Sequence, residues 1–316
     1  RNAIAEHDKR FYGLDWNPSS EITITSGATE ALYCVLSTFI QSGDEVIVFD
    51  PCYDSYYAVL TELNASVIPV VLHEPDFRFN PIELRKAFND KTKAIIVNSP
   101  HNPTGTIFSK SELQFIAELC IDYDVTAICD EVYEHLCYDA QHIPLCSLPE
   151  MKDRTYRISS MGKTFSCTGW KVGWVCASES LQESIRFKHQ FTVFSTPLPF
   201  QLACSEALTF GEDYFENLKQ EYTEKRNYLF NALSTIGFHV KNPEGGFFLI
   251  ADYSSLSKEH AEFYAKRLII EAGVATIPPI ALYINKHHAK SLLRFAFCKK
   301  METLEEAVNR LSRYYQ

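Results

Sequence analysis

Residues 91–133 read KTKAIIVNSPHNPTGTIFSKSELQFIAELCIDYDVTAICDEVY. Ala94–Val97 is a short apolar run. Ser109 and Glu112 then form a capping-box pattern that opens a helix to about Tyr123. A second apolar run, Val125–Cys129, follows and ends on Asp130. Strand, helix and strand in this order predict one βα repeat of a mostly parallel sheet covered by helices. The pattern extends outward in both directions. Upstream, Ile22–Thr25 runs into a helix through Ile40, Gly43-Asp44 makes a turn, and Val46–Phe49 and Val67–Val71 read as strands. Downstream, Thr155–Ser159 and Val172–Cys176 complete a seven-stranded set. Such sheets bind ligands beyond the carboxyl ends of their strands.

After Pro197-Leu-Pro199 the rhythm changes. Helices over about 199–209, 214–233 and 259–272 alternate with short strands at Phe238–Val240, Phe247–Ala251 and Leu293–Phe297. The expectation is an α/β protein with a large domain, 1–205, and a smaller α+β domain, 206–316. Hydrophobic residues make up 46% of the 316 residues and charged residues 22%, with a net charge of -10. Acidic residues are scattered among basic ones, so no clustered basic footprint for nucleic acid is expected. No apolar stretch reaches the ~18 residues of a membrane span. None of the ten cysteines is spaced C-x-x-C, and several lie inside apolar runs, which predicts reduced thiols and a cytoplasmic protein. The chain opens on Arg1, with no signal peptide to read, and the native start is expected to lie upstream.

The central polar segment is Ser160-Met-Gly-Lys163-Thr-Phe-Ser-Cys-Thr-Gly169-Trp-Lys171-Val-Gly173. Its Gly-Lys-Thr triplet is not a P-loop, because Arg157 stands where that motif needs a glycine. Other strand ends add Asp130 and Tyr133, and the turn-rich run from Asn98 to Gly105 with Asn102. A helix entered through Ser26-Gly-Ala28-Thr29 offers free N–H groups to an anion. Each residue also has an ordinary reading. Asp130 suits a helix cap, Asn102 an Asx turn, Thr29 a helix start and Tyr53 the core. His101 reads as structural, and Gly245-Gly246 as a tight turn. Arg294 heads an apolar strand, where an anionic partner is expected.

Seven stretches together are more specific. They are Ser26–Leu32 (SGATEAL), Asp50–Tyr56 (DPCYDSY), Asn98–Gly105 (NSPHNPTG), Asp130–Tyr133 (DEVY), Ser160–Gly173, Pro243–Phe248 (PEGGFF) and Leu293–Phe297 (LRFAF). In this order and across essentially the whole chain, the sequence resembles the class I/II aminotransferases of fold type I, most closely those acting on methionine and kynurenine. The resemblance implies pyridoxal 5'-phosphate as cofactor, an amino-acid donor and a 2-oxo-acid acceptor. It implies that Lys163 joins the cofactor aldehyde and then serves as base at the substrate Cα. Asp130 would hold the ring nitrogen protonated. Tyr133 and Asn102 would meet the ring's phenolic oxygen, and Tyr53 would stack on the ring. Ala28, Thr29, Ser160 and Lys171 would bind the phosphate, and Arg294 the substrate α-carboxylate, with Asn102 beside it. Nothing requires a metal.

Two departures stand out. Lys171 occupies a phosphate-binding position that is often arginine, which keeps the charge and loses the bidentate fork. Relatives also carry a segment ahead of the helix that Arg1 opens, which completes the small domain and lends a tyrosine across a homodimer interface. Two alternatives remain open on sequence: a carbon–sulfur β-lyase using the same Lys163, Asp130 and Tyr133, and a non-catalytic module that binds the same cofactor.

Overall fold

The computed structural model describes residues 1–316. The large sheet contains β1 (Ile22–Thr25), β2 (Glu45–Asp50), β3 (Ser66–His73), β4 (Arg78–Phe79), β5 (Thr92–Asn98), β6 (Thr126–Asp130), β7 (Thr155–Ser160) and β8 (Gly173–Cys176). Their spatial order is β1-β8-β7-β6-β5-β2-β3-β4. The five strands from β7 to β3 are mutually parallel. β8 and β1 extend the β7 edge antiparallel, and β4 pairs antiparallel with β3. All seven expected strands are present. The eighth, β4, is two residues long and falls below the length at which an alternating pattern is readable.

The central strands are apolar on both faces because helices cover both faces. Ile47, Phe49, Ile95, Val97, Ala127 and Cys129 pack toward α4 (Pro81–Ala87) and α5 (Lys110–Asp122). The alternate residues Val46, Val48, Ala94, Ile96 and Ile128 pack toward α2 (Ala28–Phe39), α3 (Asp54–Glu62) and α7 (Glu179–Thr192). Helix α5 starts on the expected capping box, with Ser109 and Glu112 each bonding the other's backbone N–H. α6 (Met161–Thr164) is a single turn directly after β7, and α1 (Asn2–Tyr12) packs against the β7–β8 side with Trp16 and Trp174.

A second sheet is three-stranded and antiparallel, ordered β11-β10-β9, from β9 (His239–Val240), β10 (Phe248–Asp252) and β11 (Leu292–Ala296). The long α9 (Glu212–Ile236), together with α10 (Ala261–Arg267) and α11 (Met301–Tyr314), covers it; α8 (Leu198–Ala207) precedes α9. The expected helix over 259–272 is shorter than its pattern, because a π-helical turn over Leu268–Ala272 follows α10 and ends on left-handed Gly273. Ten free cysteines are present, eight of them buried.

A fully buried ion cluster sits behind β6 and β7. Arg157 on β7 hydrogen-bonds Asp8 of α1 at 2.9 Å and Glu134, and forms an ion pair with Glu131 at 2.8 Å. All four side chains are at most 3% exposed. Removing Arg157 would leave three buried carboxylates without the guanidinium they share. The expected result for Arg157→Leu is a loss of about 3–5 kcal/mol of stability, read as a lower urea midpoint. A loss below ~1 kcal/mol would show that the carboxylates are neutralised without Arg157.

Candidate active site

The parallel strands β5, β6 and β7 end on one edge, and the residues following them line a cavity of about 390 Å³. All ten residues singled out from sequence are on its wall: Ala28, Thr29, Tyr53, Asn102, Asp130, Tyr133, Ser160, Lys163, Lys171 and Arg294. The structure therefore brings the whole set together, and none is misplaced.

Asp130 is the last residue of β6 and is 5% exposed. Burial raises its pKa above the ordinary carboxylate value, opposed by the Tyr56 hydroxyl and by Lys163. Tyr56 donates to Asp130 Oδ2 at 2.5 Å, and the Val132 N–H reaches Oδ1 at 3.5 Å. The segment after Asp130 is a turn rather than a helix, so the helix-cap reading of this residue falls away. Tyr133 is buried, and burial raises its phenol pKa.

Lys163 projects from α6 with Nζ 5.6 Å from the centroid of the Tyr133 ring and 5.3 Å from that of Phe247. Burial lowers its pKa, with Lys171 and Arg294 acting in the same direction and Asp130 opposing. Both effects favour a neutral amine, the form that can act as a base.

The N-terminus of α2 closes one side. Its first residues, Ala28 and Thr29, lack intrahelical acceptors for their N–H groups. A Cβ placed on Gly173 would lie 2.6 Å from the Gly27 carbonyl carbon and 2.7 Å from the Ala28 nitrogen, so only glycine allows β8 to approach this close. The Lys171 side chain lies across Gly27, its Nζ 3.3 Å from where a Cβ would stand. Helix terminus, ammonium and Ser160 thus converge on one end of the cavity, as a phosphate group requires.

Arg294, on β11, closes the opposite side. Its guanidinium carbon lies 4.2 Å over the Phe248 ring, and Nη1 donates to Asn102 Oδ1 at 3.1 Å. The anionic partner expected from its position is absent within the chain: Arg294 forms no ion pair. Burial lowers its pKa. Asn102 is therefore an Arg294 acceptor as well as a cavity residue, and its own N–H is held by Asn98 Oδ1 at 2.7 Å. His101 is structural as expected, its Nδ1 2.8 Å from the Thr104 hydroxyl and its pKa brought down to about 3 by burial.

Sequence reasoning missed the wall residues Asn98, Phe248 and Leu282, and the buried Tyr56 that braces Asp130. Tyr56 stood inside a motif already noted, DPCYDSY, and its spacing of three from Tyr53 was the available signal. Leu282 arrives on a short 3-10 turn, Pro279–Leu282, whose carbonyl accepts the Cys52 N–H at 2.8 Å. No periodicity marks that turn.

The chain matches the family Aminotransferase class I and II over residues 1–311. It is 38% identical to a probable N-succinyldiaminopimelate aminotransferase of Mycobacterium tuberculosis, over 99% of this chain and 81% of that protein. A solved structure of an enzyme of that name from the same organism superposes with a TM-score of 0.96, covering 99% of this chain and 82% of the other. The methionine aminotransferase of Escherichia coli is 36% identical over 98% of this chain and 81% of its own length. A kynurenine–oxoglutarate transaminase of Dictyostelium discoideum is 37% identical over 95% and 78%. These names favour transamination over the lyase and non-catalytic alternatives. With the fold, the cavity and these relatives in agreement, the chain belongs to the class I and II aminotransferases, pyridoxal-phosphate enzymes that move an amino group from an amino acid to a 2-oxo acid.

Proposed function

We propose that this enzyme takes the amino group of methionine or an aromatic amino acid and passes it to a 2-oxo acid, with Lys163 as the residue that carries the cofactor. The observation behind the reading is that one cavity holds a lysine of lowered pKa, a buried carboxylate, and an arginine without an ion-pair partner. Arg294 is also the only arginine on the wall, where Leu32, Phe248 and Leu282 supply apolar surface. One arginine suffices for an α-carboxylate, and a donor with a second carboxylate would meet no equivalent fork. Relatives named for methionine and kynurenine support the same class of donor.

Bound pyridoxal phosphate supplies an aldehyde that joins amino groups and a pyridine ring that accepts the electron pair left at the substrate Cα. The residues fit that group. In this reading Ala28, Thr29, Ser160 and Lys171 hold the phosphate, and Tyr53 covers the ring. Asp130, ionised and braced by Tyr56, keeps a proton on the ring nitrogen, and its raised proton affinity strengthens that hold. Tyr133 and Asn102 serve the phenolic oxygen. Arg294 would fork onto the α-carboxylate and turn the Cα hydrogen toward Lys163, whose neutral amine would take the proton from Cα and hold it as an ammonium. The proposed domain division, 1–205 and 206–316, assigns Arg294 to the small domain and the other nine residues to the large one.

A homodimer is part of the same proposal. Phe187, Phe191, Phe194, Leu198 and Leu202 are each 62% or more exposed, and Phe187 and Phe191 rings lie 4.9 Å apart. This patch continues to Trp170, stacked on Phe200 beside Lys171, and an apolar surface of this kind supports burial against a second copy. The free cysteines support a reducing, cytoplasmic setting.

Three measurements test these assignments. Borohydride treatment of the holoenzyme should fix the cofactor to the peptide containing Lys163, and Lys163→Ala should lose at least about 1000-fold in turnover; label on another lysine refutes the assignment. In an amino-donor panel with a 2-oxo acid acceptor, methionine and aromatic donors should exceed aspartate in kcat/KM at least tenfold, and the reverse order would overturn the donor class. By light scattering the wild type should be a dimer and Phe191→Asp/Phe194→Asp shifted toward monomer; a monomeric active wild type rules the dimer out.

A further inference from the structure

Behind the catalytic segment, on the face away from the cofactor cavity, three metal-ligating side chains converge. The donor atoms of His7, Glu134 and His135 all lie within 4.8 Å of one another. The two Nε2 atoms of His7 and His135 face each other at 2.8 Å. From this geometry we infer that His7, Glu134 and His135 form a binding site for a borderline divalent transition metal, zinc by preference.

The ligand set is chemically apt. Two imidazoles and one carboxylate are a recurrent zinc combination that leaves a fourth position open. His7 has its other nitrogen anchored: Nδ1 lies 3.3 Å from Asp8 Oδ1, the carboxylate–histidine arrangement that fixes the tautomer and points Nε2 outward as a donor. Glu134 is held by Arg157 and Ser159, each oxygen keeping a second lone pair for an ion. Zinc holds ligands at about 2.0–2.2 Å and so spaces them roughly 3.3 Å apart. Without the ion, the imidazoles close to hydrogen-bond distance, and a small rotation of half-buried His135 admits the metal.

Two independent features point to a cation. First, a separate cavity of about 510 Å³ opens onto the site, and Asp139, Glu212 and Glu216 line it with Glu134, against the single basic side chain Lys219. This gives an entry path and a position for water. Second, buried His142 lines the same cavity with Nδ1 unpartnered, while its Nε2 meets Glu131 at 2.9 Å. The adjoining ion cluster is short of positive charge. With His7 and His142 counted as neutral imidazoles against Asp8 and Glu131, the three carboxylates Asp8, Glu131 and Glu134 face the single positive charge of Arg157, so a dication would balance the difference. A bound ion would also tie α1 to the turn after β6.

The test uses the holoenzyme stripped with chelator and returned to zinc or cobalt. One zinc per chain should survive gel filtration, and the cobalt form should show weak visible bands without near-ultraviolet thiolate absorption. His135→Phe and His7→Phe should each lower zinc affinity more than tenfold. Both positions already sit among aromatic rings: Phe11 and Phe215 lie 4.8 and 4.4 Å from the His135 ring, and 4.8 and 6.0 Å from the His7 ring. The exposed control His239→Ala should bind zinc normally. Where either variant misfolds, histidine modification of the wild type mapped by mass spectrometry decides, because zinc should protect His135. Absence of stoichiometric zinc, unchanged affinity in both variants, unprotected His135, or a thiolate-to-cobalt band would each overturn the site.

Discussion

The structure turns on one buried guanidinium. Arg157 reaches α1 through Asp8 and the turn after β6 through Glu131 and Glu134, and it sits on the strand that leads into Lys163. Extended backbone sends alternate residues to opposite faces. On β7, Arg157 and Ser159 therefore face the cluster, while Ser160 faces the cavity. At the end of β6 and in the turn after it, Asp130 and Tyr133 line the cavity while Glu131 and Glu134 hold Arg157. The residues proposed for chemistry are thus clamped from behind by their own chain neighbours. Such preorganisation matters for catalysis, because a misplacement of about 1 Å can cost on the order of 100-fold in rate.

Burial acts on Lys163, Arg294 and Asp130 in the same sense, against the charge of each. It lowers the pKa of Lys163 and Arg294 and raises that of Asp130. What separates the three is the company each keeps. Asp130 accepts a hydrogen bond from the Tyr56 hydroxyl, which supports its anion. Lys163 has no carboxylate within ion-pair distance, so burial outweighs the opposing pull of Asp130 and its neutral form is favoured. Arg294 has one amide oxygen and no carboxylate, and a guanidinium does not shed its proton. It therefore remains a partly desolvated cation, the arrangement that favours an incoming carboxylate.

Much of this was legible from the chain. The apolar runs located seven strands, and the polar residues at their ends located Asp130, Lys163 and Asn102. What was illegible depended on contacts across long separations. Tyr56 is 74 residues from Asp130 and reads locally as an apolar helix residue. Arg157 entered the sequence argument only as a residue that spoils a P-loop, since its partner Asp8 lies 149 residues away. Strand order was equally hidden, because β2 pairs with both β3 and β5 and no local pattern says so. A surplus of buried acids also cannot be read from composition, where Asp8, Glu131 and Glu134 look like ordinary surface charges.

Arg294 belongs to the second sheet, and its distance from Lys163 depends on how closely that sheet's loop approaches the first. The contact is made where side chains are absent. A Cβ on Gly105 would stand 2.3 Å from Pro243 Cβ, and one on Gly245 would stand 2.7 Å from the Leu136 carbonyl oxygen. Gly105 also sits at φ +71°, where a side chain is strained. With the backbones this close, the Gly245 N–H bonds the Gly105 carbonyl at 2.8 Å. Next to it, both Glu244 carboxylate oxygens accept from Arg78 Nη2, at 2.6 and 2.9 Å, and Oε2 also accepts from the Ile107 N–H. The PEGGFF loop is therefore doubly determined, by glycines that permit the approach and by an ion pair that fixes its direction. Phe248 follows this loop and carries the Arg294 guanidinium on its face, so the docking extends to the proposed carboxylate-binding group. Enlarging either glycine would move Arg294 without touching it, which makes the loop part of the proposed substrate site although none of its glycines lines the cavity.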